Sequence, residues 1–417
     1  MNTDNIIRAK YLIETSQPLE KAAQMMAGEQ SCGTFVRVPG ETDELREQFS
    51  AKVELIEELG TVPQPTLPGA KHAAANVPVQ RAIVQLAWPF HNVGANLPNL
   101  MATVAGNLYE LNPFSGLKLL DVEIPPAFAD KYPGPQFGIE GTRKLTGVYN
   151  RPVIGTIIKP SVGLTPEATA AQTETLIEVG LDFLKDDELM GNPPHSPFEK
   201  RVKLVMDVIN RYADKTGKKP MYAFNISGDV DDMLNMHDVV LNNGGTCVMV
   251  SINHVGLSGF SKLRQHAQLP IHGHRNFWGA LSRSEVLGVD FQAYQKIWRL
   301  AGVDHLHTNG IRNKFCEADE SVIKSIKSCL TPMLDGYPVM PVISSGQWAG
   351  QAVDTYNAIN STDVMYVCGG GIVAHPAGIA AGVRSVVQAW EAAIKGESLA
   401  AYAEKHIELK QAIEVYG

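Results

Sequence analysis

The residues VIGTIIK at 153–159 and LDFLKDDE at 181–188 are the most informative about the fold of this chain. Each begins as a run of apolar residues rich in Val, Ile, Leu or Phe and ends in charged side chains. Between them, residues 165–179 have the spacing of apolar residues that is typical of a helix. Strand, helix and strand in this order predict a βαβ unit, in which a helix joins two parallel strands.

The same alternation continues to the end of the chain. Further strands are predicted at Met221–Ile226, Cys247–Asn253, Pro270–Arg275, Val303–Thr308, Met340–Ser345 and Val364–Gly369. Helices are predicted at Thr165–Val179, Phe198–Tyr212, Val230–Leu241, Phe291–Ala301, Ser321–Leu330, Ala352–Ile359 and Gly378–Ile394. Eight strands over about 240 residues predict a (β/α)8 TIM barrel, for which about 250 residues are typical. A doubly wound sheet is the alternative, but the turn at residues 159–163 lacks the glycine spacing of a dinucleotide site.

The first 135 residues mix strands and helices without this regular alternation. Strands are predicted at Ile6–Ile13, Gly33–Val38, Val79–Trp88 and Leu117–Ile124, and helices at Pro18–Met26 and Leu97–Leu108. This order predicts an α+β domain of ferredoxin-like type, with helices on one face of a sheet. Residues 125–135 are rich in proline and glycine, which indicates a linker. We therefore expect two domains, an α+β domain at 1–135 and a barrel at 136–417.

Composition places the chain among ordinary, slightly acidic globular proteins. It has 417 residues, 44 acidic and 36 basic side chains, a net charge of −8 and 44% hydrophobic residues. At about 100 to 200 residues per domain, this length allows two to four domains, or a small domain beside a barrel. No basic run extends beyond fragments such as Lys218-Lys219, which disfavours nucleic-acid and membrane partners but is compatible with one phosphate group.

The cysteines and the N-terminus indicate a reduced compartment. Five cysteines lie far apart and form no C-x-x-C pair. They are Cys32, Cys247, Cys316, Cys329 and Cys368. The first residues form no basic-then-apolar signal region, and no window holds the roughly 18 apolar residues of a membrane span. We expect a cytoplasmic protein.

Polar side chains and glycines gather where six of the predicted barrel strands end. They are Lys159; Lys185, Asp187 and Glu188; His274 and Arg275; His305 and His307; Ser344, Ser345 and Gly346; and Gly369, Gly370 and Gly371. TIM barrels build their active sites at the carboxyl ends of the strands. Any one of these residues is equally compatible with a solvated strand end, but six strands in agreement favour a site.

The end of the second barrel strand has the residue types of a metal site. Alternation along a strand points Lys185 and Asp187 the same way, and Glu188 follows at the turn. Two carboxylates at this spacing suit Mg2+, which prefers oxygen ligands and leaves positions for substrate oxygens. The cationic Lys185 would repel a metal, so it is a salt-bridging bystander, a neutral base or a chemically modified side chain.

The last two strand ends have the composition of a phosphate site. Three consecutive glycines at 369–371 and Ser344-Ser345-Gly346 match the turns in which barrel backbone N–H groups bind an anion. Arg275 suits forked binding of phosphate or carboxylate, and His274 and His307 are further candidates for an anion contact. Glycines that only provide a tight turn are the alternative, although such a turn rarely needs three.

These residues lie within longer motifs that resemble the large subunit of RuBisCO. The barrel motifs are GTIIKP at 155–160, GLDFLKDDE at 180–188, HGHR at 272–275, DHLH at 304–307, Lys314, SSG at 344–346, CGGG at 368–371 and HP at 375–376. The front domain adds EQSCGTF at 29–35 and Gly106-Asn107. The motifs keep the family's order and span almost the whole chain, so the resemblance implies the same two-domain fold.

The resemblance implies catalytic roles for several strand-end residues. CO2 would carbamylate Lys185 and convert a cation into a third oxygen ligand of Mg2+, beside Asp187 and Glu188. Lys159 is similar to the family's catalytic lysine, and Lys314 to the mobile-loop lysine that reaches toward the substrate CO2 or carboxylate. The catalytic residues that the resemblance implies are Lys159, Lys185, His274 and Lys314.

The resemblance also implies a set of substrate and phosphate contacts. From the barrel these are Arg275, His307, Ser344, Gly346, Gly369 and Gly370, and from the front domain Glu29, Thr34 and Asn107. In the family, the front-domain residues come from a neighbouring subunit. A homodimer with shared active sites is therefore implied, and no small subunit is expected.

Departures from the family pattern argue against a true carboxylase. Ser161 replaces the second lysine of the Lys-Pro-Lys motif, and Phe35 replaces a tryptophan. The turn at 345–346 has serine before glycine, the segment at 308–313 differs from the mobile-loop pattern, and 417 residues is short for the family. The chain is therefore similar to RuBisCO-like proteins of the form IV type.

The resemblance implies a Mg2+-stabilised enediolate made from a phosphorylated keto sugar acid. We favour decarboxylation, or transcarboxylation with hydrolysis, of 3-oxo-isoapionate 4-phosphate in apiose and apionate breakdown, which would make the protein a lyase. The alternatives are 5-methylthioribulose-1-phosphate isomerase and diketo-methylthiopentyl-phosphate enolase of methionine salvage. Asn107 disfavours the enolase, which has a lysine there. A true carboxylase and a non-catalytic RuBisCO-like protein rank below these.

Overall fold

The computed structural model describes residues 5–33, 38–71 and 77–417, which divide into two compact units. The N-terminal unit comprises residues 1–133 and 277–301, and the barrel unit comprises residues 134–276 and 302–417. The predicted domain boundary after residue 135 lies close to the observed one, but the prediction placed the segment 277–301 in the barrel domain, whereas it belongs to the N-terminal unit. The predicted strand at 33–38 falls largely on residues 34–37, outside the described residues, and Thr34 lies there too.

The bounds of the elements are as follows. The strands are β1 Ile6–Thr15, β2 Lys52–Val62, β3 Val79–Pro89, β4 Phe114–Glu123, β5 Val153–Ile157, β6 Phe183–Lys185, β7 Met221–Asn225, β8 Cys247–Ser251, β9 Ile271–His274, β10 Leu287–Val289, β11 His305–Asn309, β12 Met340–Ser344 and β13 Met365–Val367. The helices are α1 Leu19–Glu29, α2 Asp43–Phe49, α3 Leu97–Ala105, α4 Gly138–Thr146, α5 Pro166–Glu178, α6 Phe198–Thr216, α7 Val230–Asn242, α8 Ile252–His266, α9 Trp278–Ser282, α10 Phe291–Ala301, α11 Asp319–Leu330, α12 Ala352–Ile359, α13 Gly370–Val373, α14 Ile379–Lys395, α15 Leu399–Ala403 and α16 Ile407–Tyr416. Among the described residues, none of these helices is long and apolar enough to cross a membrane.

The barrel unit is a closed ring of parallel strands in the order β5-β6-β7-β8-β9-β11-β12-β13. Pairing of β13 with β5 closes the ring, which confirms the TIM barrel and excludes the open doubly wound sheet. Alternate strand residues point inward, and their side chains form an apolar core. Phe183, Met221, Met249, Met340 and Met365 are fully buried there. This packed interior holds the carboxyl ends of the strands in a fixed ring.

Within its described residues, the N-terminal unit contains a five-stranded sheet in the order β10-β4-β1-β3-β2, which confirms the predicted α+β domain. β1 lies antiparallel between β3 and β4, and alternate residues from Ile7 to Ile13 are buried. The strand β2 was missed by the prediction because it is an edge strand with a largely exposed sequence, which gives no alternating apolar signal.

The segment 277–301 belongs to the N-terminal unit because it pairs with β4. β10 runs parallel to β4, and the Tyr109 hydroxyl donates to the Gly288 carbonyl at 2.7 Å. Lys296 of α10 donates to Asp121 at 2.7 Å. The prediction of α10 is confirmed in its bounds, but its assignment to the outer ring of the barrel is not what the structure shows, since β-pairing over this distance leaves no local signal.

Helix α8 was also missed, and its backbone gives the reason. Gly256 has φ 76° inside the element, so two short helices meet at a kink there. The kink breaks the 3.6-residue spacing on which the prediction of a helix depends.

The amino ends of the strands are held by a buried carboxylate just before β6. Asp182 is fully buried and accepts hydrogen bonds from Arg151 at 2.5 Å, from Lys218 at 2.7 Å and from the backbone N–H of Ile154 at 3.0 Å. Burial alone would raise the pKa of Asp182, but Arg151 and Lys218 outweigh it and hold the pKa below the ordinary value of 3.8. The carboxylate thus ties β5, β6 and β7 together.

We predict that Asp182→Asn lowers the free energy of unfolding by about 3 kcal/mol at neutral pH, since it breaks a buried ion pair. A carboxyl with a lowered folded pKa stabilises above its unfolded pKa and loses that contribution as the pH falls through the folded value. The difference between wild type and variant should therefore shrink below pH 3.8, as denaturant unfolding at several pH values would show. Asp207→Asn, which changes an exposed carboxylate on α6, is the control. A pH-independent difference would contradict the prediction.

Candidate functional site

The centre of the site is a lysine buried at the end of β6. The Lys185 side chain is 2% exposed, and its Nζ donates to the Asp186 carbonyl at 2.9 Å. Glu188 Oε2 lies 3.7 Å from the same Nζ. Burial lowers the pKa of Lys185, although the nearby carboxylates act in the opposite direction. The amine therefore ionises less readily than an ordinary lysine.

A second lysine reaches the same group of carboxylates from the end of β5. Lys159 Nζ donates to Asp187 Oδ2 at 2.6 Å and to Ser161 Oγ at 2.8 Å. Burial would raise the pKa of Asp187, but the Lys159 bond and the Leu189 backbone N–H outweigh it and lower the pKa. The structure thus brings together Lys159, Lys185 and two carboxylates, those of Asp187 and Glu188.

His274, at the end of β9, joins this group. Its Nδ1 accepts the Asn276 backbone N–H at 3.3 Å, which leaves the proton of the neutral ring on Nε2, 3.5 Å from Glu188 Oε2. Burial, and then the charge of Lys185, lower the pKa of His274 to about 4. The ring is therefore neutral near pH 7 and presents an N–H toward the carboxylates.

Asp186, which is not among the predicted site residues, holds this strand end from the opposite face of the strand. Its carboxylate accepts from the Tyr222 hydroxyl at 2.7 Å, the Asn225 backbone N–H at 3.0 Å and Arg201 Nη2 at 3.3 Å. Arg201 also donates to the Gly191 carbonyl at 2.5 Å, so it holds the turn that follows the site. The signal was available, because strand alternation points Asp186 away from Lys185 and Asp187.

A chain of buried histidines crosses the barrel beside the site. The Thr142 hydroxyl bonds the Gly138 carbonyl at 2.5 Å and lies 2.7 Å from His305 Nε2. From there, His305 Nδ1 lies 3.3 Å from His272 Nδ1, and His272 Nε2 lies 2.7 Å from His307 Nε2. One neutral tautomer for each ring, with every proton pointing toward Thr142, satisfies the whole chain.

This chain determines the state of His307, which was expected to contact substrate. Its Nε2 proton faces His272, and its Nδ1 lies 3.3 Å from the Ser344 hydroxyl, which is therefore the donor. Burial and then neighbouring charges lower the pKa of His307 well below its usual value. Its ring centroid lies 4.4 Å from that of His274, so the two expected site histidines are adjacent.

The glycine turns leave open backbone where a phosphate was predicted. Among the described residues, a Cβ added at Gly370 would meet nothing within 4 Å, and one at Gly369 would meet only Ile157 at 3.9 Å. At Gly371 the same atom would lie 2.5 Å from the Gln347 carbonyl, so that glycine is required by packing. The packing of the described residues therefore does not explain the first two glycines.

The remaining expected residues lie as follows. At the β12 turn, Ser345 has φ 75° and Gly346 φ 81°, and a Cβ on Gly346 would lie 3.7 Å from Lys314. Arg275, after β9, donates to Glu317 at 3.0 Å. Glu29 ends α1, and Asn107 begins a short 3-10 helix, both in the N-terminal unit. Thr34 lies outside the described residues.

A second cluster of possible metal ligands lies on α7 and α8. The candidate ligand atoms of His237, Asp238 and His266 all lie within 4.8 Å of one another. However, His237 Nε2 accepts the Gln268 backbone N–H at 3.1 Å, which leaves the ring proton on Nδ1, facing Asp238 at 3.0 Å. Both ring nitrogens of His237 therefore form hydrogen bonds within the protein. We interpret the cluster as a structural connection between α7 and α8.

Comparison with known families accounts for nearly all of the chain. The model of the ribulose bisphosphate carboxylase large chain, catalytic domain, matches residues 138–416. The model of the N-terminal domain of the same large chain matches residues 2–128.

Two curated relatives have the same substrate in their names. A Xanthobacter autotrophicus protein, 51% identical over 98% of this chain and 98% of its own length, is named 3-oxo-isoapionate-4-phosphate transcarboxylase/hydrolase. A Rhizobium rhizogenes protein, 47% identical over 99% of this chain and 98% of its own, is named 3-oxo-isoapionate-4-phosphate decarboxylase.

Solved structures have the same fold over the same length. A rubisco-like protein from Burkholderia fungorum has a TM-score of 0.93 and 44% identity, and the match covers 99% of this chain and 100% of that one. An octameric ribulose-1,5-bisphosphate carboxylase/oxygenase from Pyrococcus horikoshii has a TM-score of 0.87 and 30% identity, with 99% and 94% covered.

We predict that Arg201→Met lowers the free energy of unfolding by about 3 to 5 kcal/mol, because it leaves the buried Asp186 without its cationic partner. Arg211→Met on the same helix removes an exposed guanidinium, 64% exposed and paired with an exposed Glu174, and should cost less than about 1 kcal/mol. Urea unfolding of both variants measures the difference. Equal losses would show that Asp186 does not depend on Arg201.

Proposed function

Because this chain belongs to the ribulose bisphosphate carboxylase large-chain family, we propose that it is an enzyme that cleaves the bond to the carboxylate carbon of 3-oxo-isoapionate 4-phosphate. The observation that carries the proposal is that the relatives named for this substrate match almost the full chain at 47% and 51% identity. Release of CO2 makes the enzyme a carboxy-lyase. Transfer of the carboxyl group with hydrolysis is the second candidate, favoured by the 51% identical relative.

The donor set supports a Mg2+ site at the end of β6, once Lys185 is carbamylated. As an ammonium, Lys185 cannot be a ligand. Its neutral amine can form an N–C bond to CO2 and release one N–H proton to solvent, which leaves an anionic carbamate with oxygen donors. Burial favours that neutral form, and Glu188 lies 3.7 Å from the amine. Carbamylated Lys185, Asp187 and Glu188 would then supply three oxygens, the ligand type that Mg2+ prefers. A bound Mg2+ would supply positive charge next to the oxygen on which charge develops.

The chemistry of the substrate determines what the side chains must do. When a 3-oxo acid loses CO2, the carbon–carbon bond breaks, and its electron pair moves toward the 3-oxo oxygen. A proton must then be delivered to carbon. Lys159 has a side chain 48% exposed and an ammonium held by Asp187, so we assign proton delivery to it. His274 presents an N–H to the same region and would orient a substrate oxygen.

The phosphate and carboxylate groups of the substrate would bind at the neighbouring strand ends. The open backbone at Gly369 and Gly370 supports phosphate binding there, since N–H groups can approach an anion without a side chain between them. Lys314, beside Gly346, is proposed to guide the departing carboxylate. Glu29, Thr34 and Asn107 are proposed to reach a neighbouring subunit's site.

Self-association is part of the proposal. The similar structures include a rubisco described as octameric, so relatives of this fold form oligomers. We propose a homodimer as the smallest active assembly and no small subunit.

We predict that Lys185→Ala lowers CO2 release from 3-oxo-isoapionate 4-phosphate by at least about 100-fold, because it removes a ligand from the charge-stabilising site. The assay uses purified protein with Mg2+ and bicarbonate. Lys200→Ala, which changes an exposed lysine paired with exposed Glu167, should leave the rate unchanged. Removal of divalent ions with a chelator should abolish the activity, and Mg2+ should restore it.

Two results would contradict this proposal. Unaltered turnover in Lys185→Ala would exclude the metal assignment, and turnover of methylthiopentose phosphates in place of the keto acid would exclude the substrate. Calorimetric titration with Mg2+ provides a readout that does not depend on turnover, since Lys185→Ala should lose binding even where no substrate is supplied.

A further inference from the structure

The guanidinium of Arg275, which was expected to bind substrate, forms an ion pair with the carboxylate of Glu317. Glu317 lies in the loop between β11 and α11, and its side chain is 15% exposed. Its Oε2 accepts from Arg275 Nη2 at 3.0 Å and from Asn309 Nδ2 at 2.5 Å. Its Oε1 accepts from the Ser321 hydroxyl at 3.0 Å. One carboxylate thus accepts three hydrogen bonds, from the residue after β9, from β11 and from α11.

The position of Glu317 is fixed from several sides. Asn309, which donates to it, is oriented by the Ser345 hydroxyl at 2.9 Å. The Glu317 backbone carbonyl accepts from Asn313 at 3.0 Å, so the loop on both sides of the glutamate is held. These hydrogen bonds hold the carboxylate of Glu317 in one position, unlike a mobile surface side chain that contacts Arg275 by chance.

The pairing changes the charge of this end of the site. Arg275 is always ionised, and its side chain is only 6% exposed, so its pairing with Glu317 is weakly screened by water. His307 adds no charge, because its two ring nitrogens face His272 and Ser344 as part of a neutral chain. Arg275 and His307 were expected to attract a phosphate here. In the structure, the charge of Arg275 is compensated by Glu317, and the ring of His307 is neutral.

We propose that Glu317 is a specificity-determining residue that compensates Arg275 and so restricts the enzyme to substrates with a single phosphate. That phosphate binds at the open glycine turns of Gly369 and Gly370, and the opposite end carries hydroxyl or carboxylate groups. A second phosphate at Arg275 would be repelled by the fixed carboxylate of Glu317. The free-energy cost of its desolvation would not be offset, because the charge of Arg275 is already compensated. The inference deepens the proposed function and rests on it for the identity of the natural substrate.

The test measures binding of two matched sugar phosphates to the protein with Mg2+ and bicarbonate present. The probes are ribulose 5-phosphate and ribulose 1,5-bisphosphate, which differ by one phosphate, titrated by calorimetry. Wild type should bind the bisphosphate no more tightly than the monophosphate. Glu317→Gln keeps the size of the side chain and removes its charge, so it should tighten bisphosphate binding by about 10-fold and monophosphate binding by less than about 3-fold.

Two further variants separate the role of Glu317 from general effects. Glu317→Asp keeps the charge and should retain the wild-type preference. Glu320→Gln removes an equal but exposed charge at the start of α11 and should change neither affinity. Thermal unfolding verifies that each variant is folded, and Glu317→Ala carries the same prediction if the glutamine variant does not fold.

Three results would overturn the inference. The first is a wild type that binds the bisphosphate about 10-fold more tightly than the monophosphate. The second is a Glu317→Gln variant whose affinity rises equally for both ligands. The third is a Glu320→Gln variant whose affinity for the bisphosphate rises as much as that of Glu317→Gln. Because the titrations need no turnover, their outcome is independent of the CO2 assay. A gain in Glu317→Gln without CO2 release would reject the proposed reaction and support the inference, and CO2 release without the gain would do the reverse.

Discussion

The alternation of side chains along β6 and its flanking residues is the constraint on which the site depends. Lys185 and Asp187 point to one side, where they meet Glu188, Lys159 and His274. Asp182 and Asp186, four residues apart, point to the other side and form ion pairs with Arg151 and Arg201 that stabilise the fold. One short strand therefore separates charges that hold the barrel from charges available for chemistry, and a shift of one residue would exchange the two sets.

Compensation of charge inside the barrel is the second feature that shapes function. Buried ionised groups are tolerated only when they are paired and hydrogen-bonded. Here Asp182 meets Arg151 and Lys218, and Asp186 meets Arg201, so neither depends on a ligand. Lys185 differs, because its nearest carboxylate oxygen is 3.7 Å away and its amine is buried. The least well-compensated charge in this strand is the one that the family resemblance connects with CO2.

The repeated strand ends could be predicted from sequence because both signals are local. A run of apolar residues that ends in polar side chains identifies a barrel strand, and the carboxyl ends of parallel strands meet at one edge. All eight barrel strands were found in this way, and the cluster of Lys159, Lys185, Asp187 and His274 followed. Helix α8 escaped because Gly256 interrupts its periodicity, and β2 escaped because an exposed edge strand has no buried face.

The barrel, the α+β domain and the residue types at the strand ends could be predicted from the sequence alone, since periodicity and motif order are properties of neighbouring residues. Which charged groups compensate each other is set by the three-dimensional fold. The pairing of Arg275 with Glu317, 42 residues later, and of Asp186 with Arg201 and Tyr222, joins elements far apart in the chain. Charge compensation depends on distances of a few ångströms, and no local pattern specifies these, because chain folding sets them.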